Sequence, residues 1–247
     1  MIKEALQYIV GLGEAKVQDI TLPDGTIQTY SDKSLKRLTK HIPMVDNAIH
    51  MSTLTSLVDY IRGKIDSMSE KMIIQVVDPE TVILFSQLNE ERDRETLVVV
   101  NAKIPEFPFD SFINQETFCI NLQAKFIYDP ETDLALVLKF AGTVETGTVT
   151  EYGDDGVTQK ATVKTGIASK SEAVVPNPVT LRPYRTFLEV EQPKSDFIFR
   201  MKQDKYDGIN CAIIEADGGA WKMEATKAIK DYLQYELSEY EQFTVIS

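Results

Sequence analysis

The chain has 247 residues, and its 26 Lys and Arg against 38 Asp and Glu give a formal net charge of −12. Hydrophobic residues make up 43% and charged residues 26%, which is typical of a globular protein and excludes collagen, coiled-coil and wholly disordered chains. Because no apolar run approaches the roughly 20 residues of a membrane helix, and the N-terminus lacks a signal-peptide pattern, we expect no membrane partner.

The N-terminal segment, residues 1–50, is predicted to hold a helix and a hairpin. Residues 2–12 fit a short amphipathic helix with an apolar stripe of four residues: Ala5, Leu6, Ile9 and Val10. The alternating residues 17–30, interrupted by Leu-Pro-Asp-Gly at 22–25, predict two strands joined by a turn.

The main domain, residues 51–247, is predicted to begin with a helix over residues 52–65, which Ser52 or Thr53 would cap. Three segments rich in Val and Ile then predict an antiparallel meander: Lys71–Val77, Thr81–Leu88 and Thr96–Ala102. A second helix is expected over Asn114–Phe126, because Phe118, Leu122 and Phe126 share one face.

A long hairpin is predicted next, from strands over Leu134–Tyr152 and Val157–Ile167 joined by Gly153-Asp-Asp-Gly. Its outer part, residues 143–167, is polar on one face, so it either projects over a neighbouring subunit or forms a solvated sheet face. The candidate assembly residues of this hairpin are Thr148, Tyr152, Asp154, Asp155, Thr158 and Lys160.

The last part of the chain is read as a connection over residues 168–186, followed by three strands and a terminal helix over Trp221–Leu237. The strands are predicted over Phe187–Glu191, Asp196–Gln203 and Ile209–Ala216. Because strands occur in blocks joined by hairpins, the sequence favours an α+β fold with antiparallel sheets over a doubly wound parallel fold.

Catalytic and cofactor motifs are missing from the sequence. It has no phosphate-binding loop, no Gly-x-Ser-x-Gly elbow and no metal-ligand spacing of His and Cys. Cys119 and Cys211 lie in apolar surroundings and are interpreted as core residues. We therefore predict a protein that is not an enzyme and takes no cofactor or metal; two isolated thiols also suit a cytoplasmic protein.

The final quarter interleaves aromatic side chains with cations, which is the composition of platforms for single-stranded nucleic acid. The candidate contacts are Arg182, Arg185, Arg200, Lys202 and Lys205. The alternative is that the alternating Phe197 and Phe199 face a core.

The chain resembles the YfdQ-like family of uncharacterised tailed-phage and prophage proteins over about residues 50–240. The likeness rests on Leu57-Val-Asp-Tyr-Ile, on Ile113-Asn-Gln-Glu-Thr-Phe, and on the 147–167 hairpin followed by Pro176-Asn-Pro-Val-Thr-Leu. It implies a phage or prophage origin and a location in the host cytoplasm, and it carries over no catalytic residue.

These observations lead to one main functional hypothesis and two alternatives. The main one is a non-enzymatic viral protein that self-assembles into a homo-oligomer, as a structural or accessory protein. One alternative is an accessory factor of phage DNA metabolism or recombination that binds single-stranded nucleic acid. The other is an acidic inhibitor or decoy of a host defence protein.

Overall fold

The computed structural model describes residues 2–13, 17–22, 25, 27–31, 37–38, 44–68, 70–89, 92–144, 150–151, 159–164, 170–204 and 208–247. The chain divides into two compact units, Met1–Met44 and Val45–Ser247, close to the predicted boundary after residue 50. The predicted α+β class with antiparallel sheets and a C-terminal helix is confirmed.

The first unit contains a helix and a small antiparallel sheet. Helix α1 covers Ile2–Gly13, and the strands are β1 (Val17–Thr21), β2 (Ile27–Ser31) and β3 (Arg37–Leu38). The strand order is β1-β2-β3, with Val17 opposite Ser31 and Thr21 opposite Ile27. The helix and the first strand pair therefore lie where hydrophobic periodicity predicts them.

The second unit carries the remaining elements. In chain order they are β4 (Ile49–Met51), α2 (Leu54–Arg62), β5 (Met72–Asp78), β6 (Thr81–Ser86), β7 (Thr96–Asn101), β8 (Ile113–Asn114), α3 (Gln115–Lys125), α4 (Leu134–Thr143), β9 (Thr150–Glu151), β10 (Gln159–Lys164), β11 (Lys170–Val174), β12 (Val179–Leu181), β13 (Ser195–Asp204), β14 (Gly208–Glu215), α5 (Ala220–Glu236) and β15 (Phe243–Ile246).

One core of this unit forms around a five-stranded sheet of order β15-β5-β6-β7-β4. The predicted meander β5-β6-β7 is confirmed as antiparallel, while the outer strands β15 and β4 pair parallel to their neighbours. Thr53 caps the N-terminus of helix α2, because its hydroxyl accepts from the Ser56 N–H at 3.1 Å. Leu57 of α2 and Leu233 of α5 belong to the same fully buried cluster as the sheet residue Leu84.

A second core forms around the antiparallel sheet β12-β13-β14-β8, with α3 and α4 contributing to it. Phe197 and Phe199 of β13 are fully buried there, as the core interpretation of these residues predicts. Phe199 stacks on Phe118 of α3 with ring centroids 5.6 Å apart. A further antiparallel sheet, β11-β10-β9, includes the described part of the predicted hairpin, in which Gln159 lies opposite Glu151.

The predicted strand over Leu134–Tyr152 is wrong in its first half, which is helix α4. The apolar run of this segment fits both the two-residue period of a strand and the 3.6-residue period of a helix. In the structure the second core receives side chains at a spacing that only a helix provides: Leu134, Val137, Phe140 and Ala141. The start is held by Asp133, whose carboxylate accepts from the Thr180 N–H at 2.8 Å.

Two other expectations are corrected. The predicted connection 168–186 contains strands β11 and β12, which pair with β10 and β13. The predicted strand over Phe187–Glu191 is instead irregular, because its buried Phe187 and Val190 belong to the first core and its backbone bonds to a side chain, not to a neighbouring strand.

That side chain is Gln192, which organises the segment between the two cores. Its Oε1 accepts from the N–H groups of Arg185 and Thr186 at 2.9 and 3.1 Å, and its Nε2 donates to the Phe187 carbonyl at 2.9 Å. The Thr186 hydroxyl donates to the Pro79 carbonyl at 2.5 Å. We call residues 182–195 the connector: they link β12 to β13 of the second core's sheet and place Phe187 and Val190 in the first core.

Candidate functional site

The predicted nucleic-acid residues occupy different environments, beginning with Arg182. Its guanidinium pairs with Glu191 at 2.5 Å and with Asp129 at 3.4 Å, and its Nε donates to the Gln192 carbonyl at 2.8 Å. Because the guanidinium of Arg182 is already paired with two carboxylates, it stabilises the connector and is poorly placed to bind a phosphate.

Arg185 is 4% exposed and lies inside the protein. Its guanidinium stacks on the Trp221 ring, 4.1 Å from the centroid, and pairs with Glu215 at 3.2 Å. It also donates to the Ser195 hydroxyl, which in turn donates to Asp217 at 2.6 Å. Burial lowers the pKa of Arg185 to about 10, against the opposing effect of Glu215 and Asp217. The side chain is therefore an internal cation at neutral pH, away from any external strand.

Arg200 and Lys202 lie two residues apart on β13 and so share the face opposite Phe199. Lys202 is exposed, with its ammonium 4.5 Å from the centroid of the Phe112 ring. Lys205 lies outside the described residues, so only Arg200 and Lys202 of the five predicted contacts are brought together at a described surface.

Most candidate assembly residues of the hairpin also lie outside the described residues: Thr148, Tyr152, Asp154, Asp155 and Thr158. Lys160 is described, and in β10 it lies between Thr150 of β9 and Val174 of β11. The predicted role of this hairpin in assembly stays a prediction.

A cleft of about 650 Å³ opens beside Arg185. Its wall is mainly apolar and aromatic, with Phe107, Tyr184 and Trp221 among the lining residues. The elements that form it come from distant parts of the sequence: the β5–β6 turn, the segment after β7, the connector, the end of β14 and the start of α5. No local motif marks the cleft, so the sequence alone did not reveal it.

Two buried donors next to this cleft have no hydrogen-bond partner. They are the Nε of Arg185 and the Nε1 of Trp221, the latter on a side chain that is 7% exposed. Most buried N–H groups in proteins are paired, so two unpaired donors on neighbouring side chains distinguish this place from the rest of the interior.

The charged groups of the cleft are unevenly distributed. Glu80, Glu106 and Glu215 line it together with only two cations, Lys103 and Arg185. Since Arg185 is neutralised by Glu215, the remaining charge of the wall is negative. Partial desolvation and the nearby Asp78 raise the pKa of Glu80.

An apolar surface of the first unit is the second candidate site. On α1 the exposed fractions of Ile2, Leu6, Tyr8 and Val10 are 81, 56, 70 and 58%. Every residue of β1 is exposed, and none of the apolar residues of this unit whose side-chain burial is described is buried. The apolar stripe of an amphipathic helix is normally covered, so the exposure of Leu6 and Val10 makes this surface a candidate contact site.

The interpretation as a core residue is confirmed for Cys211, which is fully buried in β14; Cys119 of α3 is half-buried and packs against the second core. Burial raises the pKa of Cys211 to about 12 and also raises that of Cys119. Among the described residues, no group of three His, Cys, Asp or Glu side chains is placed to hold a metal ion.

Within the part of the chain that the structure describes, none of the helices combines the length and the apolar character needed to cross a membrane. Comparison with protein-family models, with curated proteins and with solved structures finds no match to this chain.

Proposed function

We propose that this is a non-enzymatic phage or prophage protein that acts in the host cytoplasm as a homo-oligomer, with copies joined through their N-terminal units. The observation that carries the proposal is the exposed apolar surface of α1 and β1. A segment of 44 residues that exposes Leu6 and Val10 of its helix and every residue of β1 needs a contact elsewhere to be stable. The resemblance to the YfdQ-like family supports the viral origin.

Charge favours a second copy of the same unit as the occupant of this surface. Residues 1–44 carry 6 basic and 5 acidic side chains, whereas residues 45–247 carry 20 and 33. Contacts between two main units would bring together surfaces of net charge −13, which repel each other. The N-terminal unit, with a net charge of +1 and an apolar stripe, is the part of the chain that can meet its own copy without this cost.

The buried thiols support a non-enzymatic role. A thiol acts as a nucleophile in its ionised form, and burial disfavours that form in both cysteines. The ion pairs of Arg182 and the burial of Arg185 weigh against the alternative of a nucleic-acid platform in the connector.

The test is the native mass from size-exclusion chromatography with light scattering. We expect a mass of at least twice 27.9 kDa for the full chain and a monomer for residues 45–247, which contain both cores and so should fold alone. The double variant Leu6→Asp, Val10→Asp should also be monomeric. Its matched control, Leu188→Asp with Met223→Asp, alters two exposed apolar residues of the main unit and should keep the oligomer.

A monomeric full chain would refute the proposal, as would an oligomer that survives removal of residues 1–44. An absorbance ratio at 260 and 280 nm that is raised for the purified protein and falls at high salt would instead support the nucleic-acid alternative.

A further inference from the structure

The cleft beside Arg185 has the size and wall of a small-molecule site. Sites of this kind commonly occupy 300–1,000 Å³ and combine an apolar lining with a few polar groups, and this cleft of about 650 Å³ does so. The half-buried Phe107 and Tyr184 provide ring surfaces on which a planar molecule can stack. The lining therefore favours a flat, largely apolar ligand.

The two unpaired donors add a chemical requirement. The N–H groups of Arg185 Nε and Trp221 Nε1 have no acceptor, although both side chains are more than nine-tenths buried. A ligand with carbonyl oxygens would satisfy them. Because both atoms are covered in the unliganded cleft, a ligand reaches them only with a shift of the Trp221 ring or of the Arg185 side chain.

The charges exclude one class of planar ligand. Arg185 is already paired with Glu215, so among the lining residues Lys103 remains against the carboxylates of Glu80 and Glu106. Lys222 also acts on Glu80, and the carboxylate of Asp78 opposes its effect. A phosphate group would enter a negative field, within a chain whose net charge is also negative. An uncharged ligand avoids this repulsion.

We propose that this cleft binds a neutral, planar heteroaromatic molecule with carbonyl acceptors, of the class of a free nucleobase or nucleoside. The aromatic wall stacks on the ring, and Trp221 and Arg185 donate to its carbonyl oxygens. The same base chemistry is present in single-stranded nucleic acid, but there each base brings a phosphate that the carboxylates of the cleft repel.

Trp221 is the only tryptophan of the chain, so its emission reports directly on the cleft. The full chain would be titrated with guanosine, cytidine and uridine, whose bases carry carbonyl oxygens, each with its 5′-monophosphate and a short single-stranded oligonucleotide for comparison. We expect a saturable change in emission with at least one nucleoside, and binding of its monophosphate that is about fivefold weaker or more at low salt. Isothermal calorimetry should give the same order.

Variants separate the hydrogen bond from the charge. Trp221→Phe keeps a ring but removes the N–H, and calorimetry should show binding about five- to tenfold weaker. Tyr235→Phe, at an exposed position of the same helix, is the matched control and should bind as wild type. The double variant Glu80→Gln, Glu106→Gln changes two exposed carboxylates, so the fold should be retained. The affinity for the nucleoside should stay unchanged, and the difference in affinity between the nucleoside and its monophosphate should become smaller.

Three results would overturn the proposal. The first is the absence of saturable binding by any of the three nucleosides in both fluorescence and calorimetry. The second is tighter binding of a monophosphate or oligonucleotide than of the nucleoside. The third is wild-type affinity in the Trp221→Phe variant.

Discussion

Replacing Gln192 with leucine tests whether one buried amide holds the connector in place. Gln192 is 4% exposed, and leucine has a similar volume, so the substitution removes hydrogen bonds with little change in packing. The backbone N–H groups of Arg185 and Thr186 lose their acceptor, and the Phe187 carbonyl loses the hydrogen bond that the Gln192 Nε2 donates to it.

The expected loss follows from the number of groups left unpaired. A buried donor or acceptor without a partner costs about 1–3 kcal/mol, so the two N–H groups alone predict a fall of about 2–6 kcal/mol in the free energy of unfolding. For a chain of this size, a loss of about 3 kcal/mol lowers Tm by roughly 6–12 °C. This is a large part of the stability of an ordinary domain.

Urea unfolding at neutral pH, followed by circular dichroism, would measure the change. Gln87→Leu is the matched control, because Gln87 is exposed and its amide makes one hydrogen bond, to Glu70; its effect should stay within about 0.5 kcal/mol. If Gln192→Leu unfolds within that same margin of wild type, the connector is not held by this amide and the reasoning fails.

Three further predictions rest on single contacts. Thr53→Ala removes the N-cap of α2 and should lower stability by about 1 kcal/mol in the same urea assay. Burial tends to raise the pKa of Asp217, but hydrogen bonds from Ser195, Gly219 and Trp221 and the charge of Arg185 outweigh burial and lower that pKa. The ionised carboxylate therefore stabilises the fold above the ordinary pKa of Asp, and this stabilisation is lost as the pH falls through the lowered value. Asp217→Asn should flatten the acid side of the profile of stability against pH, below about pH 4. A thiol reagent should leave Cys211 unmodified in the native protein and label it once urea unfolds the chain, since burial raises its pKa to about 12; fast native labelling would contradict this.

The parts of the fold that sequence reasoning identified are those in which local pattern and tertiary burial agree. Helix α2 shows its apolar residues at helical spacing and begins at a capping threonine, and the meander β5-β6-β7 is bounded by turn residues. The run Leu134–Thr143 is apolar on most sides, so it fits a buried strand as well as a helix, and only packing against α3 and β12 decides between them.

The candidate sites were harder to predict because they depend on burial. An arginine near aromatic residues in the sequence is compatible with a guanidinium stacked inside the protein and with one that faces a nucleic acid. The sequence around Arg185 does not decide between them, because its ring contact is with Trp221, which lies 36 residues further along the chain. The apolar stripe of α1 shows the opposite case, since its periodicity predicts the helix but does not predict that Leu6 and Val10 are exposed.

The parallel pairing of β15 with β5 has a consequence for folding kinetics. The meander can form from neighbouring segments, but Phe243 must find Met72, and the closure of so long a loop is entropically slow. Destabilising substitutions in β15 should therefore leave the folding rate almost unchanged and accelerate unfolding, whereas those in β6 should slow folding. The order in which the sheet is assembled would be read from the two arms of a chevron plot.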